Sequence, residues 1–265
     1  MNILNETDTD GICIRYASDE KPDPAAFDFH IHDRCEIYYF ISGDAEYLVE
    51  GSVYRLERGN LLIMSPGEAH CVRIRSRQRY ERYAVNFPLS LFDGIDPERR
   101  VMRLFTEKPL GSGNLFYDDT LTDKFSRMCA DHADNYERLL TARAYILDIL
   151  LNLTCGRGTE KGEQTAAAQE ILRYVNAHLF EELTVNALAE HFYLSTSQFG
   201  RIFRQATGAS PREYINAKRL INARVMISDG ISAKQAAEDC GFKDYSVFYR
   251  AYVKRYGESP KRTQG

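Results

Sequence analysis

The feature that most restricts this chain is an internal duplication near its C-terminus. The stretch from Ala189 to Pro211, AEHFYLSTSQFGRIFRQATGASP, lines up with Ala237 to Pro260, AEDCGFKDYSVFYRAYVKRYGESP. The second copy is one residue longer, the extra position falling just after Leu194 and Phe242. Beyond it the offset is a constant 49, pairing Ser197 with Ser246, Phe199 with Phe248, Arg201 with Arg250, Gly208 with Gly257, and Ser210-Pro211 with Ser259-Pro260. Aromatic, glycine and Ser-Pro positions repeating at one offset mark a duplicated supersecondary unit.

Each copy reads as helix, tight turn, helix. In the first, Thr184 is the expected N-cap, Leu188, Ala189 and Phe192 face inward, and the small Ala189 lets a second helix approach. Tyr193-Leu194 forms the turn. Ser195 caps the next helix with Gln198 three residues on, a capping box, and Gly208 ends it in the left-handed region. Ser210-Pro211-x-Glu213 then starts a connecting helix over 212–228, with Ser at N-cap, Pro at N1 and Glu at N3. The second copy repeats the scheme with Ser232, Gln235, Ala237, a Gly241 turn, Phe248, Gly257 and Ser259-Pro260. A small residue, a sharp turn, aliphatic anchors and a polar outer face on the second helix are the steric needs of a helix-turn-helix. The polar faces supply the candidate DNA contacts: Thr196, Ser197, Gln198, Arg201 and Arg204 in the first unit, and Lys243, Tyr245, Ser246, Tyr249 and Arg250 in the second. Arginine suits guanine edges and phosphate, and hydroxyls serve either. Gln198 fits a cap better than a base reader, and Gly200 offers no side chain, so the first unit reads fewer bases.

The charge distribution agrees. The whole chain carries −4, which argues against a wholly basic nucleic-acid binder. Residues 166–265 hold 14 Lys and Arg against 10 Asp and Glu, or +4, while the first 165 residues hold 20 against 28, or −8. An acidic front joined to a basic end is the asymmetry of a chain whose end meets a polyanion. Between them lies Cys155–Ala167, CGRGTEKGEQTAA, polar and glycine-bearing as a linker is. No apolar run is long enough to span a membrane, the N-terminus has neither a basic start nor an apolar core, and the six cysteines make no CxxC pair. These point to a cytoplasmic protein with reduced thiols and no membrane partner.

The front half has a different texture. Residues 12 to about 87 are short β-rich runs, among them GICIRYA, CEIYYFIS, AEYLVEG, NLLIMS, HCVRIR and RYAVNF. Ser42-Gly43-Asp44 and Glu50-Gly51 stand between adjacent runs as hairpin turns should. Strands at this spacing predict a sandwich or small barrel. Residues 119–154 then turn helical, with Leu139, Leu140, Arg143, Ile146, Leu147, Leu150 and Leu151 on one face, a helix that either covers the barrel or pairs with another subunit.

Within the β-rich half, Phe29-His30-Ile31-His32-x3-Glu36 is followed by Ser65-Pro66-Gly67-x2-His70. In an extended segment His30 and His32 share a face. With Glu36 and His70 they make a three-His, one-carboxylate set suited to a divalent transition metal, or a polar effector pocket without one. Arg34, Tyr38, Tyr47, Tyr54 and Tyr83 are candidate pocket walls, strand parity leaving open which face inward. Cys35 and Cys71 fall beside ligands rather than with them.

The last hundred residues resemble the DNA-binding domain of AraC-type (AraC/XylS) transcription regulators, on the fingerprint Ile231-x5-Ala237-x3-Gly241-Phe242-x3-Ser246-x-Phe248, then Arg250, Gly257, Ser259 and Pro260. Tyr193 departs from the pattern at the position Gly241 fills in the second unit. The resemblance implies two recognition helices in successive major-groove segments on one face of the duplex. Residues 12–88 resemble a cupin barrel, the first motif in full and the second with Ser65-Pro66-Gly67 for the usual Pro-x-Gly. AraC-type regulators frequently carry such a barrel as their sensor.

The expected organisation is a multidomain chain. An all-β cupin barrel (double-stranded β-helix) over 1–105 binds effector through His30, His32, Arg34, Glu36, Tyr38, Tyr47 and His70. A helical connector over 106–155 dimerises, 156–167 is a linker, and 168–265 is an all-α tandem helix-turn-helix domain. The expected function is a non-enzymatic, effector-responsive regulator of promoter DNA. It acts as a homodimer, contacts RNA polymerase if it activates, and takes a small-molecule effector, a sugar being in keeping with the family's habits. The alternative is a metal-dependent cupin enzyme with an appended DNA-binding module, since His30, His32, Glu36 and His70 fit both.

Overall fold

The computed structural model describes residues 3–154 and 166–261. Most of the linker expectation, including Cys155, therefore lies outside the described residues. The chain divides into two compact units, residues 1–30 with 34–163, and residues 164–265 with 31–33.

The first unit is built on two antiparallel sheets. The larger has the order β1 (Ile3–Thr9), β2 (Ile12–Asp19), β8 (Tyr80–Phe87), β3 (Cys35–Ser42), β6 (Asn60–Met64) and β9 (Leu115–Tyr117). The smaller has the order β5 (Ser52–Arg55), β4 (Ala45–Val49) and β7 (His70–Ile74). Within the large sheet β3 and β6 are buried on both faces, which explains why they read as continuous apolar runs rather than alternating ones. Tyr38 and Phe40 of β3, Leu62 and Met64 of β6 and Tyr80 of β8 pack inside the barrel with Tyr47, Tyr54 and Ile74 from the small sheet. The alternate positions, Cys35, Ile37, Tyr39, Leu61, Ile63, Tyr83 and Val85, pack outward against helices.

Those helices are α1 (Arg103–Thr106), α2 (Thr122–Met128) and α3 (Asn135–Thr154). The single apolar face expected along α3 is divided. Ala142, Ile146, Ile149, Leu150 and Leu153 join the barrel-covering core, while Tyr136, Leu140 and Leu151 are exposed. The segment 106–155 is also not helical throughout, because β9 pairs with β6 in register Leu61↔Phe116 and completes the large sheet. Glu50-Gly51 is a hairpin turn as expected, with φ +47° and +85° and Val49 opposite Ser52. Ser42-Gly43-Asp44 is not one. β3 pairs with β6 and β8, and β4 with β5 and β7, so this turn carries the chain from one sheet to the other. β1 escapes the sequence pattern because its side chains are largely exposed and polar.

The second unit is helical: α4 (Ala166–Ala177), α5 (Val185–His191), α6 (Thr196–Thr207), α7 (Pro211–Ser228), α8 (Ala233–Asp239) and α9 (Tyr245–Tyr256). The caps follow the sequence. Thr184 accepts from the Ala187 amide, Ser195 with Gln198 and Ser210 with Glu213 close capping boxes, and Gly208 and Gly257 end α6 and α9 at φ +79° and +71°. Asp244 caps α9, its carboxylate accepting from the amides of Ser246 and Val247, which holds its pKa below the usual carboxylate range. α7 contributes Leu220, Ala223 and Ile227 to the core of the second helix-turn-helix, and Tyr214 packs against Phe203 of the first.

Candidate functional site

The recognition surface of the second unit is set by the two turns. In the first, the Tyr193 amide donates to Glu190 O and the Leu194 amide to Ala189 O. In the second, Gly241 donates to Glu238 O and Phe242 to Ala237 O. The backbones therefore make the same helix-ending motif, with Tyr193 and Gly241 both left-handed at φ +56° and +79°. Each turn delivers a helix whose inner face is buried, through Phe199 and Phe203 in α6 and through Phe248 and Tyr252 in α9.

The outer faces carry the sequence-predicted residues. Thr196, Ser197, Gln198, Arg201 and Arg204 are exposed on α6, and Tyr245, Ser246, Tyr249 and Arg250 on α9. Gln198, Lys243 and Arg250 are engaged. Gln198's carboxamide oxygen accepts from the Ser195 amide and hydroxyl, the Lys243 ammonium pairs with Glu182, and Arg250 Nε donates to Ser246 O at 3.3 Å within α9. Sequence reasoning passed over Val247, exposed on α9 at the repeat position of Gln198. It presents an apolar group of the kind that meets thymine methyls. The 49-residue offset was the signal that could have found it.

The second cluster is built on His30, Glu36 and His70 of the first unit, with His32 from the adjoining 31–33 stretch of chain. His30 and His70 exchange both backbone hydrogen bonds at 3.0 Å as an isolated antiparallel pair. Residues so paired have side chains directly opposite, and the two rings meet edge to face at 4.1 Å. A turn with Pro66 second and Gly67 third, at φ +78°, brings the chain into β7 just ahead of His70. Glu36 reaches the same point from β3. Its carboxylate lies 3.1 Å from His70 Nε2 and accepts from Asn86 Nδ2 at 3.1 Å. One ligand atom from each of His30, His32, Glu36 and His70 lies within 4.8 Å of the others.

This donor set suits a transition metal in more than its composition. His70 Nδ1 donates to Glu68 O at 2.8 Å, which directs Nε2 toward the cluster, as a backbone carbonyl commonly does for a metal-ligating imidazole. A separation of 3.1 Å between Nε2 and a carboxylate oxygen suits adjacent ligands of one ion as well as an imidazolium–carboxylate pair. Burial works against the charged imidazole, but the Glu36 hydrogen bond and charge outweigh it, and His70's pKa is raised.

The barrel wall is aromatic. Tyr47 stacks on His70 at 6.0 Å and lies 4.6 Å from Tyr38, whose hydroxyl bonds that of Tyr80. Tyr54 is buried with its hydroxyl donating to Gly111 O. Arg34 donates to Gly11 O at 2.5 Å. Tyr83 departs from the expectation. It points out of the barrel, between Tyr16 and Phe125, because β8 places its even-numbered residues inside. That parity brings in Tyr80 and Arg82, which the sequence reading did not list, and Arg82 is paired at 2.6 Å with the buried Asp19. Glu68 was also missed. Fully buried, it accepts from Ser65 N, Asn114 Nδ2, Lys108 Nζ and Gly111 N, and so holds the turn ahead of His70. Cys35 and Cys71 are buried, and burial pushes the Cys71 thiol up to about 11.

Comparison with known proteins bears on both sites. A model described as "AraC-like ligand binding domain" matches residues 15–145, and one described as "Helix-turn-helix domain" matches residues 188–265. The chain is 35% identical over 92 residues to the probable transcriptional regulator LumQ of Photobacterium leiognathi, covering 34% of this chain and 37% of that protein. It is 28% identical over 132 residues to the HTH-type transcriptional activator RhaS of Pectobacterium carotovorum subsp. carotovorum, covering 49% and 47%. The match thus spans less than half the length of either of these two relatives. With the RhaS of Mannheimia succiniciproducens it is 22% identical over 249 residues, covering 89% and 88%. Carrying both an AraC-like ligand-binding domain and the tandem helix-turn-helix unit, the chain belongs to the AraC-type transcription regulators.

Proposed function

We propose that α6 and α9 enter successive major-groove segments of one promoter duplex, and that a small molecule held in the barrel governs this binding. The observation that carries the reading is the duplicated helix-turn-helix itself: two helices with buried inner faces and exposed Arg201 and Arg250 at matched positions. Thr196, Ser197, Arg204, Tyr245, Ser246 and Tyr249 share those faces, with Gln198 and Lys243 at their edges. The effector contacts are His30, His32, Arg34, Glu36, Tyr38, Tyr47 and His70. Aromatic walls beside charged and imidazole groups suit a sugar or sugar derivative, whose C–H faces stack while its hydroxyls hydrogen-bond.

A divalent transition metal, when bound, is held by His30, His32, Glu36 and His70 and supplies a fixed positive centre for an anionic or hydroxylated effector. The exposed Tyr136, Leu140 and Leu151 on α3 favour a homodimer. Effector then acts by differential affinity for two arrangements of the DNA-binding domains, in the cytoplasm, and an activating form contacts RNA polymerase. The domain boundaries in this scheme are 1–105, 106–155, 156–167 and 168–265.

A genome-wide footprint of the bound protein tests the reading, since the adjacent operons name the targets and the ligand class. His30→Ala with His70→Ala changes effector response and leaves DNA affinity largely intact. Metal analysis of the purified protein decides whether the four-residue set is a metal centre. Turnover of a candidate sugar or acid by metal-loaded protein, without promoter binding at moderate salt, would instead favour a cupin enzyme, the reading that the same four residues also admit.

A further inference from the structure

We propose that Arg219, buried in α7, locks the two helix-turn-helix units at one setting and thereby fixes the spacing between the two DNA segments they read. The proposal rests on the reading that both α6 and α9 contact DNA. Arg219 is 8% exposed, and each of its three nitrogens donates to a backbone carbonyl. Nε donates to Leu179 O at 2.8 Å, Nη2 to Glu181 O at 2.6 Å and Nη1 to Gly241 O at 2.9 Å. The first two carbonyls belong to the segment between α4 and α5, in the first unit. The third belongs to the turn of the second. One guanidinium therefore joins the approach to α5 with the turn leading into α9. All three carbonyls belong to chain that follows a helix C-terminal end, Leu179 and Glu181 after α4 and Gly241 after α8.

Two further contacts converge on the same joint. A Cβ on Gly241 would stand 2.6 Å from Phe180 O and 3.0 Å from Arg219 Cζ, so the turn and the segment touch at backbone level. Lys243 is the one-residue insertion that distinguishes the second repeat from the first, and its ammonium pairs with Glu182. The insertion thus adds to the second unit the residue that reaches the first.

α7 already packs on both units, through Tyr214 on Phe203 in the first and through Leu220, Ala223 and Ile227 in the core of the second. The joint at Arg219 ties the units directly to each other beside that shared helix. Adding one base pair between two boxes moves the second box by about 3.4 Å and turns it by about 34°. A locked pair of units tolerates this poorly.

The test selects bound sites from a random duplex library with the full chain. It then measures affinity for the selected site with the space between its two boxes changed by one base pair. The wild type is expected to prefer its own spacing by about tenfold. Arg219→Met, which keeps length and helix propensity, is expected to bring that preference within about threefold, with each box still recognised, and Arg219→Lys to fall between. If Arg219→Met lacks a cooperative melt, the double change Glu182→Ala with Lys243→Ala, at exposed positions of the same joint, is expected to lower the preference in the same direction. A wild-type spacing preference in the folded variants overturns the joint. A wild type that selects a single box overturns instead the two-helix reading on which the joint rests.

Discussion

The two turns of the helix-turn-helix repeat share a backbone and differ in everything around it. Tyr193 and Gly241 close the same hydrogen-bonded motif in the same left-handed region. Tyr193 is 96% exposed, so a full side chain stands in solvent and the residue bears only the local cost of a positive φ. Gly241 is pressed against Phe180 O and the Arg219 guanidinium, leaving no room for a Cβ. A glycine at the turn is thus a requirement of neighbouring structure in one copy and a matter of convenience in the other. The departure at Tyr193 leaves the fold intact because nothing packs there.

Substitutions at the matched positions can break this contrast. Gly241→Ala should cost about 2–4 kcal/mol of stability, combining the left-handed penalty with displacement of the 179–182 segment. Tyr193→Ala should change stability by less than about 0.5 kcal/mol, since the left-handed cost is already present and no packing is lost. Urea denaturation of both variants checks the pair, and equal losses would mean that the surroundings of the turns do not matter.

The caps just beyond the turns sharpen it further. Ser195→Ala should cost about 1 kcal/mol, without pH dependence between pH 3 and 7, because a hydroxyl caps α6. Tyr193→Gly should raise stability by up to about 1 kcal/mol, relieving the positive φ without losing packing. Asp244 caps α9 with a carboxylate whose pKa is depressed in the fold by the Val247 and Ser246 amides. Its ionised contribution is therefore complete above the unfolded value near 4 and is lost as pH falls through the lower folded value. The melting-temperature difference between wild type and Asp244→Ala should narrow below about pH 4. A difference that stays constant down to pH 3 would show that the charge plays no part.

What the sequence makes legible follows the range of the interactions. Ser195, Ser210 and Ser232 announce their helices because a cap and the amides it bonds lie within three residues of each other. The pairing of His30 with His32 is legible from strand periodicity, and His70 from its motif. Tyr83 and Tyr80 are not separable before the sheet is seen, because a strand buried on both faces gives no polar side to set the parity. α3 is ambiguous for a related reason: Leu140 and Ile146 are equally apolar, but only Ile146 meets the barrel. Glu68 and Arg219 look like ordinary surface charges in the sequence. Their partners lie 40 or more residues away for Lys108 and Leu179, and nothing local marks them for burial.

In the function proposed here both copies of the repeat bind DNA, each through its own arginine. Site selection from a random duplex library with wild type, Arg201→Ala and Arg250→Ala tests it most directly. The wild type is expected to select a two-box site. Each variant should bind it more weakly by about 1–3 kcal/mol and lose base preference in one box only, a different box for each. A single-box site, or two variants that keep the wild-type preference in both boxes, would contradict it.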